Sequence, residues 1–238
     1  MKKSSKSLNC EGGPMISALS SVSAVIFDQD GLMFDTERIS AGAWNLAGRE
    51  LGVEVREDFL KTIRGRNYRD AVPLFREEFS GKCDYEQLWR RKQEIYAVLL
   101  KERDLPVKPG LRELLSWLSG HRIPKAVATA STLTYTRTNL ERTGLLSCFD
   151  AVITGDKVTH AKPDPELFLK AADALGQKPE VCLVLEDSIN GVRAGIAGGF
   201  LTIMVPDLAQ PDEELKNRAT AVCPSLFEVL SLLREAKR

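Results

Sequence analysis

The chain has 238 residues, 43% of them hydrophobic, enough for one large domain or a core carrying a smaller insertion, with a substantial interior. Its 33 Lys and Arg balance 33 Asp and Glu, so no global field favours nucleic acid or an anionic membrane, although a local anion site stays open. No apolar run approaches the roughly 18 residues that suggest a bilayer span.

Residues 1–21 are rich in Ser, Lys and Gly without apolar periodicity. Lys2 and Lys3 are followed by no apolar h-region, so a disordered leader is expected and secretion is not. Ala24 to Phe27 then reads as a strand buried on both faces, ending at Asp28-Gln29-Asp30-Gly31. In extended chain, residues i and i+2 project to one side, which lets Asp28 and Asp30 face a common volume while Gln29 turns away. Leu32-Met33-Phe34 could fold over that strand tip.

From Thr36 to about Leu51 the apolar spacing is helical, with Gly52 as a stop. Helical segments continue over Glu57 to Ile63, Tyr68 to Phe79 around Pro73, and Asp84 to Leu105. Val107-Lys108-Pro109-Gly110 punctuates the chain, and short strands then alternate with helices. Strands are expected at Lys125 to Ala128, Ala151 to Thr154, Val181 to Leu185 and Leu201 to Val205. The helices between and before them are expected at Leu111 to Leu118, Thr134 to Thr143, Pro165 to Leu175 and Ile189 to Ala197. Such alternation predicts an α/β fold with a doubly wound parallel sheet. Residues 22–34 and 106–238 would form this core, and 35–105 a helical cap inserted after its first strand.

Ligands of open α/β sheets sit beyond the carboxyl ends of the strands. Those ends carry Asp28 and Asp30, then Thr129, Ala130 and Ser131, then Lys162 in a loop, then Glu186-Asp187-Ser188. Converging carboxylates repel by about 4 kcal/mol per pair at 4 Å and an effective dielectric near 20, so a cation is expected among them. With two histidines, His121 and His160, and no C-x-x-C among Cys10, Cys83, Cys148, Cys182 and Cys223, oxygen ligands and Mg²⁺ are favoured over zinc. The cysteine pattern also suits a reducing cytoplasm. A dication and an ammonium beside a hydroxyl form a clamp for a phosphoryl group. Glycine-rich nucleotide signatures are absent.

These four motifs, in this order, resemble the haloacid dehalogenase superfamily: DQDG, Thr129, Lys162 and Glu186-Asp187 match its four motifs, and FDTE and EDSINGVRAG resemble its phosphatase and β-phosphoglucomutase-like branch with an α-helical cap. The resemblance implies Asp28 as nucleophile, Asp30 as general acid and base, and Thr129 and Lys162 as the remaining catalytic groups. It implies Mg²⁺ held by Asp28, the Asp30 carbonyl and Asp187, with Glu186 a direct or outer ligand. Thr36, Ala130, Ser131 and the cap residues Arg66 and Lys92 are the candidate substrate contacts. The second aspartate argues against true dehalogenation. The position four after Asp35-Thr36, a histidine in the β-phosphoglucomutases this chain resembles, is Ser40, which favours hydrolysis over mutase chemistry. The expected function is a Mg²⁺-dependent phosphatase of a small phosphorylated metabolite such as a sugar phosphate, in a monomer or weak dimer without nucleic-acid or membrane partners. A phosphomutase and a non-catalytic phosphate-responsive regulator are the other readings. Gln29 stands where that family prefers an apolar residue.

Overall fold

The computed structural model describes residues 13–63, 68–101 and 104–238. The β1 strand, Ala24–Phe27, lies inside a six-stranded parallel sheet of order β3-β2-β1-β4-β5-β6. Its neighbours are β2, Lys125–Thr129, and β4, Cys182–Glu186, with β3 (Ala151–Thr154) on one side and β5 (Leu201–Met204) and β6 (Ala221–Val222) on the other. The order reverses between β1 and β4, the kind of switch point at which open α/β sheets leave a crevice.

Alternation along β1 sorts its side chains between two interiors. Val25 and Phe27 enter one cluster, and Ala24 and Ile26 the other. The first is closed by α6 (Leu111–Gly120) and α11 (Leu226–Ala236), through Leu114, Leu118, Val229 and Leu233. The second is closed by α8 (Glu166–Ala174) through Leu167, Phe168 and Ala171. Because both faces are covered, the central strands carry uninterrupted apolar runs. Helices α7 (Leu133–Arg142) and α9 (Ile189–Ala197) follow β2 and β4.

Between β1 and β2 the chain inserts α2 (Thr36–Glu50), α3 (Glu57–Ile63), α4 (Tyr68–Glu78) and α5 (Tyr85–Lys101) before returning through α6. Their shared interior is aromatic: Trp44 stacks on Phe75 at 4.9 Å, and Phe59 and Trp89 meet Phe75 edge-on at 4.9 and 5.4 Å. The two linkers joining insertion and core run side by side, with Asp35 N–H donating to Pro106 and Lys108 N–H to Met33. Arg38 and Lys108 both reach Asp207, at 2.7 and 2.8 Å.

Several expectations are corrected. Disorder through residue 21 does not hold, because Gly13–Ser20 forms α1, with Leu19 buried and Lys237 Nζ donating to the carbonyls of Ser20 and Val22. Leu32, Met33 and Phe34 make no flap. They form a buried turn, with Met33 and Phe34 N–H donating to Gln29 and Phe34 bridging to Val107. The last cap helix is described to Lys101, and it does not reach Leu105, because Asp104 and Leu105 lie in the returning linker, where Leu105 is buried. Beyond the expected strands, the chain adds α10 (Glu213–Arg218), β6 and α11. No helix among the described residues is long and apolar enough to cross a membrane.

Candidate active site

Phe27 pairs with Val127 on one side and Leu185 on the other, so β1, β2 and β4 end at one edge. Asp28, Thr129 and Glu186 emerge there together. Asp28 N–H still donates to Leu185 at 3.0 Å, which fixes the direction of its side chain by backbone pairing. Lys162, from the loop between β3 and α8, is 2.5 Å from Asp28 Oδ1 and 2.6 Å from Glu186 Oε1. Its side chain is 1% exposed, and its ammonium lies 4.8 Å from the centre of the Phe168 ring. Burial opposes the lysine's charge, but Asp28 and Glu186 outweigh it and hold the ammonium above its ordinary pKa.

Asp187 completes the cluster. Ligand oxygens of Asp28, Glu186 and Asp187 can all lie within 4.8 Å of one another, and all three residues are buried. Burial pushes the Asp28 carboxyl well up, with Glu186 adding to the rise and Lys162 opposing it. Burial likewise pushes Asp187 well up, reinforced by Glu186 and Asp28. Three carboxylates against one ammonium leave negative charge in a dry place, which a small hard dication with oxygen ligands neutralises. The donor set therefore fits Mg²⁺. Glu186 is already committed on both oxygens, Oε1 to Lys162 and Oε2 to the Ser188 amide and hydroxyl at 2.7 and 2.9 Å.

Two glycines make this crowding sterically feasible. Gly31 has φ +88°, and a Cβ there would come within 2.2 Å of Asp187 Oδ2. At Gly191, in the first turn of α9, a Cβ would fall 1.7 Å from Glu186 Oε1.

Asp30 is held differently. Its carboxylate is not part of the cluster of three, and it accepts from Thr36 Oγ1 at 2.7 Å, Ser131 Oγ at 2.8 Å and Tyr135 O–H at 2.9 Å. The hydroxyls of Thr36 and Ser131, expected on a substrate, are thus turned to Asp30, although both residues line the cavity. Thr129 is 1% exposed, and its Oγ1 accepts from the Ser131 amide at 3.1 Å, shaping the turn that carries Ala130. Gln29 is fully buried; its Nε2 is 3.4 Å from Asp30 Oδ2, and its Oε1 has no partner.

Above this edge is a cavity of about 930 Å³, floored by Asp28, Asp30, Ala130 and Asp187 and roofed by α2 and α5. Lys92 enters it from α5, buried, with its ammonium 4.3 Å from the Tyr96 ring centre and 5.4 Å from that of Trp44. Burial lowers its pKa to about 8, against the attraction of Glu37 and Asp30. Ser40 also lines the cavity, and Arg66 lies outside the described residues. Tyr96 and Tyr135 were not among the sequence candidates; their spacing reads as helix core or helix surface, and nothing in it signals a carboxylate partner.

Comparison with known proteins agrees with this geometry. Residues 22–199 match the haloacid dehalogenase-like hydrolase family, and the chain belongs to that family. Within it, a phosphorylated carbohydrates phosphatase of Thermotoga maritima is 33% identical over 218 residues, covering 89% of this chain and 98% of its own. Hexitol phosphatase B of Escherichia coli is 32% identical over 186 residues, 77% of this chain and 83% of its own. CbbY from Rhodobacter sphaeroides, crystallised as a variant in complex with xylulose-(1,5)bisphosphate, superposes with a TM-score of 0.74 at 26% identity, covering 89% of this chain and 99% of its own. Within the family the chain falls in the phosphatase and β-phosphoglucomutase-like branch.

Proposed function

We propose that the protein is a phosphomonoester hydrolase that removes phosphate from a small phosphorylated metabolite, of the phosphorylated-carbohydrate class on which its relatives are named to act. The observation that carries this reading is the buried trio of Asp28, Lys162 and Asp187 at one sheet edge, with Asp30 beside it. In the first step, an Asp28 oxygen attacks phosphorus, the bond from phosphorus to the substrate oxygen breaks, and Asp30 delivers a proton to that oxygen. In the second, Asp30 takes a proton from water as it attacks phosphorus, the bond to Asp28 breaks, and phosphate and the free carboxylate are restored. Lys162 offsets the charge shared by Asp28 and the phosphoryl group, and the backbone around Thr129 and Ala130 receives phosphoryl oxygens.

Mg²⁺ would be held by Asp28, Asp187 and the Asp30 carbonyl, and it supplies charge neutralisation of the phosphoryl oxygens when bound. Glu186 acts outside that set, fixing Lys162 and the Ser188 turn. Lys92 meets the substrate from the cap side.

The test is a free-phosphate screen over sugar and polyol phosphates with Mg²⁺, run on the wild type and on Asp28→Asn. Phosphate release by the wild type alone supports the reading, and equal release by the variant overturns it. Conversion of a sugar 1-phosphate to its isomer, dependent on added bisphosphate and without free phosphate, would assign the chain to the mutases instead.

A further inference from the structure

Asp30 is tied to the helical insertion by two phenols that the steps above do not use. Tyr135 stands in the first turn of α7, on the core side, and its O–H donates to Asp30 Oδ1 at 2.9 Å. The hydroxyl of Tyr96, on α5, lies 2.6 Å from that of Tyr135. Tyr135 has one hydroxyl proton and directs it to the carboxylate, so Tyr96 is the donor between the two phenols. The result is a directed chain, Tyr96 to Tyr135 to Asp30, that starts in the insertion and ends on the proposed acid and base. Burial, then the charge of Asp30, push both phenols above their ordinary pKa, so both remain proton donors throughout the neutral range. The same Tyr96 ring faces the Lys92 ammonium, so one side chain touches both the cap cation and the chain to Asp30.

The distribution of donors sharpens the point. Ser131 and Tyr135 reach Asp30 from the core, whereas Thr36, and Tyr96 through Tyr135, come from the inserted helices. An acid that must protonate a leaving oxygen and then deprotonate a water needs its carboxyl aimed within hydrogen-bond reach of both, and a small misplacement costs up to about 100-fold. Of these tethers, the one through Tyr135 is the least direct from the insertion, and it depends on α5 standing where it does.

We propose that Tyr135 is a positioning residue that aims Asp30, and that Tyr96 transmits the placement of helix α5 to it through their shared hydrogen bond. This rests on the acid and base role given to Asp30 above. It predicts an effect confined to the steps in which Asp30 moves a proton.

The experiment is a single-turnover measurement on the full chain with Mg²⁺, comparing an alkyl phosphate, whose leaving oxygen must be protonated, with p-nitrophenyl phosphate, whose leaving group needs no acid. Tyr135→Phe is expected to slow alcohol release at least about tenfold while leaving nitrophenol release within about twofold and KM nearly unchanged. Tyr96→Phe should shift the same ratio by less, and the double variant should be no slower than Tyr135→Phe, because one residue acts through the other. Equal slowing of both leaving groups would mark a merely structural role and overturn the proposal, as would no slowing of either. Additive losses in the double variant would overturn the part given to Tyr96. If Tyr135→Phe does not fold, Tyr96→Phe carries the same comparison of leaving groups. Asp28→Asn and Asp30→Asn run alongside separate the two readings. If Asp28→Asn keeps turning over either substrate, or Asp30→Asn releases the alcohol at the wild-type rate, the hydrolase mechanism fails; if both are dead on the alkyl phosphate while Tyr135→Phe is normal on both substrates, only the positioning role fails.

Discussion

At the sheet edge, Asp28 and Glu186 are buried and fixed by parallel backbone pairing, with the Lys162 ammonium reaching both from a loop, whereas across the cavity Lys92 is held mainly by the faces of two aromatic rings. The first region has its hydrogen bonds almost fully assigned. The second has space, largely apolar walls, and the cations Lys92, Lys101 and Arg142 on its lining. The difference teaches where the proposed mechanism divides its work: the groups it makes reactive sit on or against strand ends whose register tolerates little error, and the groups it sets against the rest of the substrate sit on helices that can change without disturbing that register.

Removing a charge from each region tests the contrast, and the largest effect is expected at the edge. Lys162→Met leaves Asp28 and Glu186 buried without their ammonium, and should destabilise the metal-free protein by about 3–5 kcal/mol, read as a lowered denaturant midpoint. Activity should fall with it. A midpoint equal to wild type would mean that water or another cation already serves the two carboxylates.

Next comes Asp187→Asn. Mg²⁺ that binds only the folded form raises its melting temperature, and that rise should vanish in the variant. The Mg²⁺ concentration for half-maximal activity should increase by about 10–100-fold. Removing the metal by chelation should abolish wild-type turnover, and a variant with an unchanged thermal response to Mg²⁺ would move the metal away from Asp187.

The cap gives the smallest effect, and one of a different kind. Burial sets the Lys92 pKa at about 8, so the ammonium is charged below that pH and neutral above it. KM should therefore be lowest below pH 8 and rise as pH increases through it, while kcat changes little. Lys92→Met should raise KM about tenfold at pH 7 and remove that pH step. A fall in kcat with KM unchanged would place Lys92 in the reacting layer instead.

The same contrast explains what could be read from the residues. The gathering of polar groups at the strand ends was legible because period-two geometry lets Asp28 and Asp30 face one cavity, and because uninterrupted apolar runs mark the strands whose ends carry Thr129 and Glu186. The inserted helices α2 and α3 were legible for a similar reason, through their three- and four-residue spacing. Hidden from the sequence was whatever depends on a distant partner. Helix α1 has weak periodicity of its own and is anchored by Lys237, more than 200 residues away. The hydroxyls of Thr36 and Ser131 suit a phosphate as well as a carboxylate, and only the folded arrangement turns them to Asp30. Tyr96 and Tyr135 sit at ordinary helix positions, 39 residues apart, and acquire meaning only when α5 and α7 face each other. Gln29 remains without a physical account, buried with a carbonyl oxygen that has no partner.

The central claim, that Asp28 carries the phosphoryl group, is tested most directly by rapid acid quench with a substrate labelled in its phosphoryl group, followed by peptide mapping. The label should appear on the peptide containing Asp28, should be lost on treatment with hydroxylamine, and should be absent from Asp28→Asn. Turnover of labelled substrate with no label on that peptide, at quench times shorter than one catalytic cycle, would contradict it.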